Sequence, residues 1–353
     1  MVAPPPTAND PGGGPAVAAG VAPVVAVPAG RDTRPPGSWI DYLAMARLDH
    51  WIKHVFIVPG IVLAVLLLRP GRWPSAWVLL LGFASAALVA SANYVLNEWL
   101  DAGFDAHHPR KASRPAVRKR LSPLVVYLEY GLLLAAGVAL ALTVGKLFTV
   151  FAVAFGLSGL AYNVPPLRFK KVPVLDVLSE SINNPIRLIL GWAMVDGTTL
   201  PPSTLLLTYW MGGAFLMATK RFAEYRSVSA RVGVDALVRY RRSFGAYSEG
   251  SLLVSAFLYA LMAAFFLAIF LVKYRIEYLL AFPLFAALFG AYLHIGLRPE
   301  SAAESPERLF RERSLFVLLA LLVFGLILLT WLDLPALGPL TDPHYIVLPW
   351  GRS

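Results

Sequence analysis

Nine apolar stretches, each eighteen residues or longer, recur along this chain at 51–68, 75–97, 121–144, 147–164, 176–195, 202–219, 248–272, 276–296 and 314–332. A helix needs about 20 apolar residues to cross the hydrocarbon core of a bilayer. Lipid offers no water to unpaired backbone groups, so such stretches span it as helices. The spacing therefore predicts an all-α, polytopic membrane protein with a bundle of nine transmembrane helices. Composition agrees: 15% of residues are charged, against about 25% in soluble domains. The fifth stretch is the most polar, with Glu180, Asn183, Asn184 and Arg187 inside it. The absence of cysteine excludes disulfides, thiol catalysis and cysteine–metal sites.

The net charge of +10 would suit nucleic acid in a soluble protein. Here the basic residues sort by loop, as the positive-inside rule requires, and no nucleic-acid partner is expected. One set comprises Arg31, Arg34, Arg47 and Lys53, then Arg110, Lys111, Arg114, Arg118, Lys119 and Arg120, then Arg168, Lys170 and Lys171. It continues with Lys220, Arg221, Arg226, Arg231, Arg239, Arg241 and Arg242, and ends with Arg298, Arg308, Arg311 and Arg313, making 24. The opposite set has six: Arg69, Arg72, Lys146, Lys273, Arg275 and Arg352. A wrong helix count would scramble this alternation. It places the N-terminus in the cytoplasm and the C-terminus outside a bacterial inner membrane. Residues 1–37, rich in Pro, Ala and Gly, read as a disordered tail. The bundle occupies 38–335 and a short extracytoplasmic tail 336–353. Trp39–Asp49 is amphipathic and suits the membrane surface.

Two polar runs carry chemistry. Asn97, Asp101 and Asp105 recur at i, i+4 and i+8, on one helical stripe at the end of the second span. Two carboxylates and an amide suit Mg²⁺, a hard cation that leaves coordination places for phosphate. His107, His108, Arg110, Lys111 and Arg114 follow, so acid for a metal precedes base for a phosphate. The bland alternative is an acidic helix end before an ordinary cytoplasmic loop. The second run starts at Tyr162, passes Arg168, Lys170 and Lys171, and enters the fifth span. There Asp176, Glu180, Asn183 or Asn184, and Arg187 form one polar stripe. Ionisable groups at membrane depth mark a functional cavity by default; the alternative is a Glu180–Arg187 or asparagine network joining helices. Lys53 opens the first span, and Lys220 and Arg221 close the sixth, all at cytoplasmic helix ends.

Nine helices, Asn97-x-x-x-Asp101-x-x-x-Asp105, the following Lys111-x-x-Arg114-Pro115 and a second aspartate motif after helix four resemble the UbiA superfamily over about residues 40–335. The resemblance implies an all-helical bundle in which two aspartate-rich motifs hold Mg²⁺ against a donor diphosphate. Its counterparts here are Asn97, Asp101 and Asp105, and then Asp176 with Glu180. Trp51-Ile52-Lys53, His108-Pro109-x-Lys111-x-x-Arg114-Pro115 and Lys220-Arg221-Phe222-Ala223-Glu224 are similar to decaprenyl-phosphate phosphoribosyltransferases, which move 5-phosphoribose from phosphoribosyl diphosphate to a polyprenyl phosphate. Glu98 stands where the superfamily usually has Asp, and Ser179–Pro185 departs from typical phosphoribosyl members.

The expected activity is thus Mg²⁺-dependent transfer of phosphoribose to polyprenyl phosphate for lipid-linked pentose in envelope glycan synthesis. The alternative within the superfamily is prenyl transfer to an aromatic or quinone-precursor acceptor. On the first reading, Lys111, Arg114, Arg168 and Lys170 hold the diphosphate, and Lys53, Lys220 and Arg221 hold the 5-phosphate. Tyr162, Asn184 and Arg187 complete the substrate site. A transporter would show repeats with paired broken helices, and none is evident. Assembly into homo-oligomers is left open.

Overall fold

The computed structural model describes residues 33–69, 71–299, 301–304, 309 and 312–340. Of the expected tails, 1–32 and 341–353 lie outside it while 33–37 and 336–340 are described, and Arg31, Arg308, Arg311 and Arg352 of the basic tally also lie outside. Among the described residues every regular element is helical, and the one strand-like pairing is an isolated bridge between Pro36 and Arg120. The helices are α1 (Trp39–Met45), α2 (Val58–Leu68), α3 (Ala76–Asp105), α4 (Pro115–Arg118), α5 (Pro123–Val144), α6 (Lys146–Asn163) and α7 (Leu175–Ser181). They continue as α8 (Asn183–Val195), α9 (Ser203–Val232), α10 (Val234–Tyr240), α11 (Glu249–Tyr274), α12 (Phe282–Gly296) and α13 (Arg313–Trp331). Pro59, Pro115, Pro123 and Pro283 stand in the first turns of their helices, where a missing N–H leaves no bond unmade.

Seven helical segments among the described residues are long and apolar enough to cross a membrane, against the nine expected. The other two stretches have identifiable differences. The fifth, read as one span over 176–195, breaks at Ile182 into α7 and α8. The break is held by polar groups, since Asn183 Nδ2 donates to the Glu180 carbonyl at 3.0 Å and Asn183 Oδ1 accepts from Ser158 Oγ at 2.7 Å. The sixth is the start of α9, whose thirty residues are long enough, but Ser203, Thr204, Thr208, Gly212, Gly213 and Thr219 dilute its apolar part before Lys220.

The outer surface confirms lipid as the solvent. Leu128, Leu132, Phe257, Phe265, Phe324 and Trp331 are all exposed, a belt that water would not tolerate on a monomer. The core lies where α2, α3, α6 and α8 meet, around Ile57, Val89, Phe155 and Leu190. α2 and α8 approach backbone to backbone: a Cβ on Gly60 would stand 2.0 Å from the Leu188 carbonyl oxygen, and one on Gly191 2.1 Å from that of Ile57. Glycine at both positions is a steric requirement here. At α1, Met45 and Ala46 pack against Val95, Ala116 and Leu121 while Trp39 and Ile40 face outward.

Length positions the site. At 1.5 Å per residue, α3 and α9 are each roughly 45 Å long, longer than the ~30 Å hydrocarbon core. Asn97, Asp101 and Asp105 fall in the last third of α3, and Lys220, Arg221 and Glu224 in the second half of α9, both near the far end of a path of that length.

Candidate active site

The two acidic runs converge, and each carboxylate meets a cation from elsewhere in the chain. Asp101 Oδ1 lies 2.6 Å from Lys170 Nζ and 3.0 Å from Arg168 Nη2. Both cations come from the loop between α6 and α7. Lys170 Nζ also reaches Asn97 Oδ1 at 3.3 Å and Asn163 Oδ1 at 2.9 Å. One ammonium thus sits at the focus of three oxygens, two of them on the α3 stripe.

Asp105 does not share that focus. Eight residues at 3.6 per turn rotate it roughly 80° from Asn97, and its Oδ2 instead accepts from Arg114 Nη1 at 2.5 Å. Arg114 also lies 4.0 Å from buried Glu98, whose other oxygen accepts from the Ala116 amide. Two expected site residues, Asp105 and Arg114, are therefore partners of each other.

In the second run, Asp176 is wholly buried. Its carboxylate accepts from Tyr247 Oη at 2.6 Å and Ser243 Oγ at 3.0 Å, with Arg221 Nε at 3.5 Å and Arg241 Nη1 at 3.7 Å. Glu180 accepts from Arg221 Nη2 at 2.6 Å and Tyr162 Oη at 2.8 Å. The Glu180–Arg187 pair raised as the structural alternative does not form: the partner is Arg221. Arg221 goes on to Glu224 at 3.1 Å, so one buried guanidinium ties three carboxylates. Glu224 closes the circuit to the loop after α3, where His108 Nε2 and Lys111 Nζ each lie 3.4 Å away. His108 Nδ1 accepts from the Arg110 and Lys111 amides, which leaves Nε2 as the protonated nitrogen facing Glu224. Lys111 also donates to Tyr240 Oη.

Exposure separates the four acids. The side chains of Asp101 and Glu180 remain 14% and 28% exposed, those of Asp105 and Asp176 2% and 0%. Only the first two can meet a ligand without rearrangement; the others brace the basic groups around them. Asp101 opens on a cleft that it lines with Phe104, Tyr240 and five cations: Arg168, Lys170, Lys171, Arg241 and Arg242. Burial lowers Lys170 to about 8 against the pull of Asp101, and lowers Lys111 to about 7 despite Glu224. Burial also opposes the charge of Arg241, but Tyr162, Glu224, Asp176 and Glu180 outweigh it and raise its affinity for the proton.

The remaining expected residues disperse. Adjacent in sequence, Lys220 and Arg221 separate: Lys220 lies in the field of Glu180 and Lys53, while Arg221 is locked among carboxylates. Lys53 stands over the Tyr94 ring at 5.4 Å. Asn184 fills the space a Cβ on Gly213 would take, packing α8 on α9. Arg187 is buried over the Phe155 ring at 4.9 Å. Arg241, Ser243 and Tyr247 were not singled out in the sequence. Arg241 looked like one more positive-inside arginine, and nothing in the spacing of the other two marks them.

No three His, Asp or Glu side chains among the described residues gather as a metal cage. The oxygens around Lys170 Nζ nonetheless form a hard donor set already holding a cation. Mg²⁺ is commonly bound by one or two carboxylates with substrate phosphates, so Asn97 and Asp101 fit it.

Comparison with known proteins extends this picture. A UbiA homolog from Archaeoglobus fulgidus, solved with GPP and Mg²⁺, superposes on 82% of this chain and 99% of its own with a TM-score of 0.62 and 20% identity, a likeness of fold. In sequence, the protoheme IX farnesyltransferase of Alkalihalophilus pseudofirmus is 29% identical over 63% of this chain and 73% of its own. The 4-hydroxybenzoate octaprenyltransferase of Aeromonas salmonicida is 25% identical over 48% and 55%, and an uncharacterized protein of Sinorhizobium fredii 26% identical over 54% and 36%. The chain thus spans about half of the octaprenyltransferase and about a third of the Sinorhizobium protein. Residues 57–318, most of the bundle and both acidic runs, match the UbiA prenyltransferase family, and the chain belongs to that family.

Proposed function

We propose that this membrane-embedded transferase moves 5-phosphoribose from phosphoribosyl diphosphate to a polyprenyl phosphate. The observation that carries the reading is the arrangement of cations. Five line the cleft against a single carboxylate, Asp101, and Lys220, which is not among the lining residues, lies in the field of Glu180 and Lys53. A donor with a diphosphate at one end and a 5-phosphate at the other uses both groups. A prenyl diphosphate uses one, and its hydrocarbon end would be repelled by the other. Mg²⁺ held by Asn97 and Asp101 would supply Lewis-acid stabilisation of the departing diphosphate.

The chain's own residues do the rest. Arg168, Lys170 and Arg241 hold the diphosphate and stabilise its growing negative charge as the C1–O bond breaks. Lys53 and Lys220 fix the 5-phosphate, and Glu180 and Tyr162 face the sugar. The acceptor phosphate, already an anion, forms the new C1–O bond without a general base. The transferase domain covers 38–335, with its site on the cytoplasmic face of a bacterial inner membrane, and the product serves glycan assembly.

The family relatives support a second reading, a prenyl diphosphate donor with an aromatic acceptor, since they include a 4-hydroxybenzoate octaprenyltransferase and a protoheme IX farnesyltransferase. Purified protein in nanodiscs with Mg²⁺ and polyprenyl phosphate or 4-hydroxybenzoate decides between them, by which labelled donor enters lipid. Lys53→Ala and Lys220→Ala should each raise KM for phosphoribosyl diphosphate at least tenfold, since a charge-assisted hydrogen bond contributes about 1.5–3 kcal/mol. Consumption of prenyl diphosphate alone would overturn the proposal.

A further inference from the structure

Three buried nitrogens behind the cleft have no role in the transfer described above. His54 and Arg187 are each more than nine-tenths buried. Neither ring nitrogen of His54, nor Nε of Arg187, finds a hydrogen-bond partner among the described residues. Both side chains are placed by the glycine contact of α2 with α8. Gly191 packs on Ile57, and one turn earlier on each strand of that contact stand Arg187 and His54, within each other's field. Phe155 lies under the guanidinium, and Lys53 covers Tyr94 beside it.

A guanidinium at this depth is costly unless a counter-charge meets it. The nearest acid, Glu180, is committed to Arg221 and Tyr162. Lys53 adds further positive field at His54. Unmet N–H groups in a positive field describe a seat for a compact anion rather than for a neutral group. Its outer surroundings are apolar: Ile52, Val55, Val58 and Leu66 are exposed along the segment that carries His54 and runs into α2. An anion with a hydrocarbon tail matches both halves.

We infer that His54 and Arg187 form the seat for the phosphate head of the lipid acceptor, with the polyprenyl chain running along the exposed apolar residues Ile52, Val55, Val58 and Leu66. This rests on the lipid-phosphate acceptor proposed above. It adds a site beside Lys53, the cation assigned to the 5-phosphate.

The test is equilibrium binding of labelled farnesyl phosphate to the full chain in nanodiscs without donor. Arg187→Met should weaken it at least tenfold, and His54→Phe, which keeps the ring volume without the nitrogens, at least threefold. Binding of phosphoribosyl diphosphate should stay within about twofold in both. Farnesol should bind the wild type weakly and lose nothing on either substitution, because it lacks the charge. Should Arg187→Met fail to fold, judged by its thermal midpoint, His54→Phe alone decides. Undiminished farnesyl phosphate binding by the folded variants overturns the seat. Competition by inorganic phosphate at the same concentration as farnesyl phosphate would make it a free-phosphate site and overturn the lipid assignment. Donor choice is scored separately by label transfer. A protein that binds farnesyl phosphate through Arg187 yet consumes only prenyl diphosphate keeps the seat and loses the donor reading.

Discussion

Arg221 is the residue whose replacement discriminates most sharply between binding and architecture. Its side chain is 2% exposed, and it touches Asp176, Glu180 and Glu224 at 3.5, 2.6 and 3.1 Å. If it were a ligand for the donor, Arg221→Met would raise KM and leave stability alone. The geometry says otherwise. Removing one partner of a buried ion pair costs about 3–5 kcal/mol, because a charge is left unpaired. Here three carboxylates lose a shared partner, though Arg241 and Lys111 remain beside them and limit the damage. At roughly 2–4 °C per kcal/mol, the thermal midpoint should drop by on the order of 10 °C. The companion variant Glu180→Gln removes one of the stranded charges. The double variant should recover part of the loss, giving a coupling of about 0.5–3 kcal/mol, as expected for residues in contact. Thermal unfolding in one detergent, followed by tryptophan fluorescence, reads both effects. A midpoint for Arg221→Met within about 2 °C of wild type, with KM raised, would refute the structural role and return Arg221 to the donor site.

Two further outcomes follow from the same geometry. Asp101→Asn should cut turnover by at least a hundredfold while the protein folds and inserts normally, as measured by label transfer; a loss under tenfold, about 1.4 kcal/mol, would remove Asp101 from the site. Lys111, lowered by burial to about 7, should make stability depend on pH. Between about 7 and its ordinary 10.5 the unfolded chain holds more protons, so this group's contribution to stability rises with pH. Thermal midpoints across that range check the trend, and Lys111→Met should flatten it.

The fold was legible because lipid imposes one rule on every span. Apolar length and loop charge do not depend on how helices pack, so both could be read residue by residue. The fifth stretch resisted because its break at Ile182 is held by a tertiary hydrogen bond that Asn183 accepts from Ser158, twenty-five residues earlier. In the site, spacing found the acids but not their partners. The i+8 rotation that carries Asp105 away from Asn97 is visible in helical geometry. The capture of Asp105 by Arg114 depends on the path of the loop after α3. Arg241 was hidden for another reason: a cytoplasmic arginine that sets topology and one buried against Asp176 look alike in sequence. Lys220 and Arg221 show the same limit, since two neighbours on a helix differ by about 100° in direction and here reach different surroundings.

The pairing of every acid with an internal cation bears on how a polyanionic donor enters so buried a site. A carboxylate stripped of its partner at this depth would cost several kcal/mol, so the donor cannot simply pull cations away. Lys170 illustrates the escape from that cost. Its ammonium rests on Asp101 and Asn97, the oxygens assigned to Mg²⁺, and it also lines the cleft assigned to the diphosphate. On the proposed reading, Asn97 and Asp101 would hold Mg²⁺ and Lys170 would face the diphosphate, so that each group would keep one opposite charge. Arg221 has no such freedom, since all three of its carboxylates are protein groups and no arriving cation replaces it. The site thus contains two kinds of cation. Lys170, partly released by a burial-lowered proton affinity, is suited to exchange, whereas Arg221 holds the frame in which that exchange takes place.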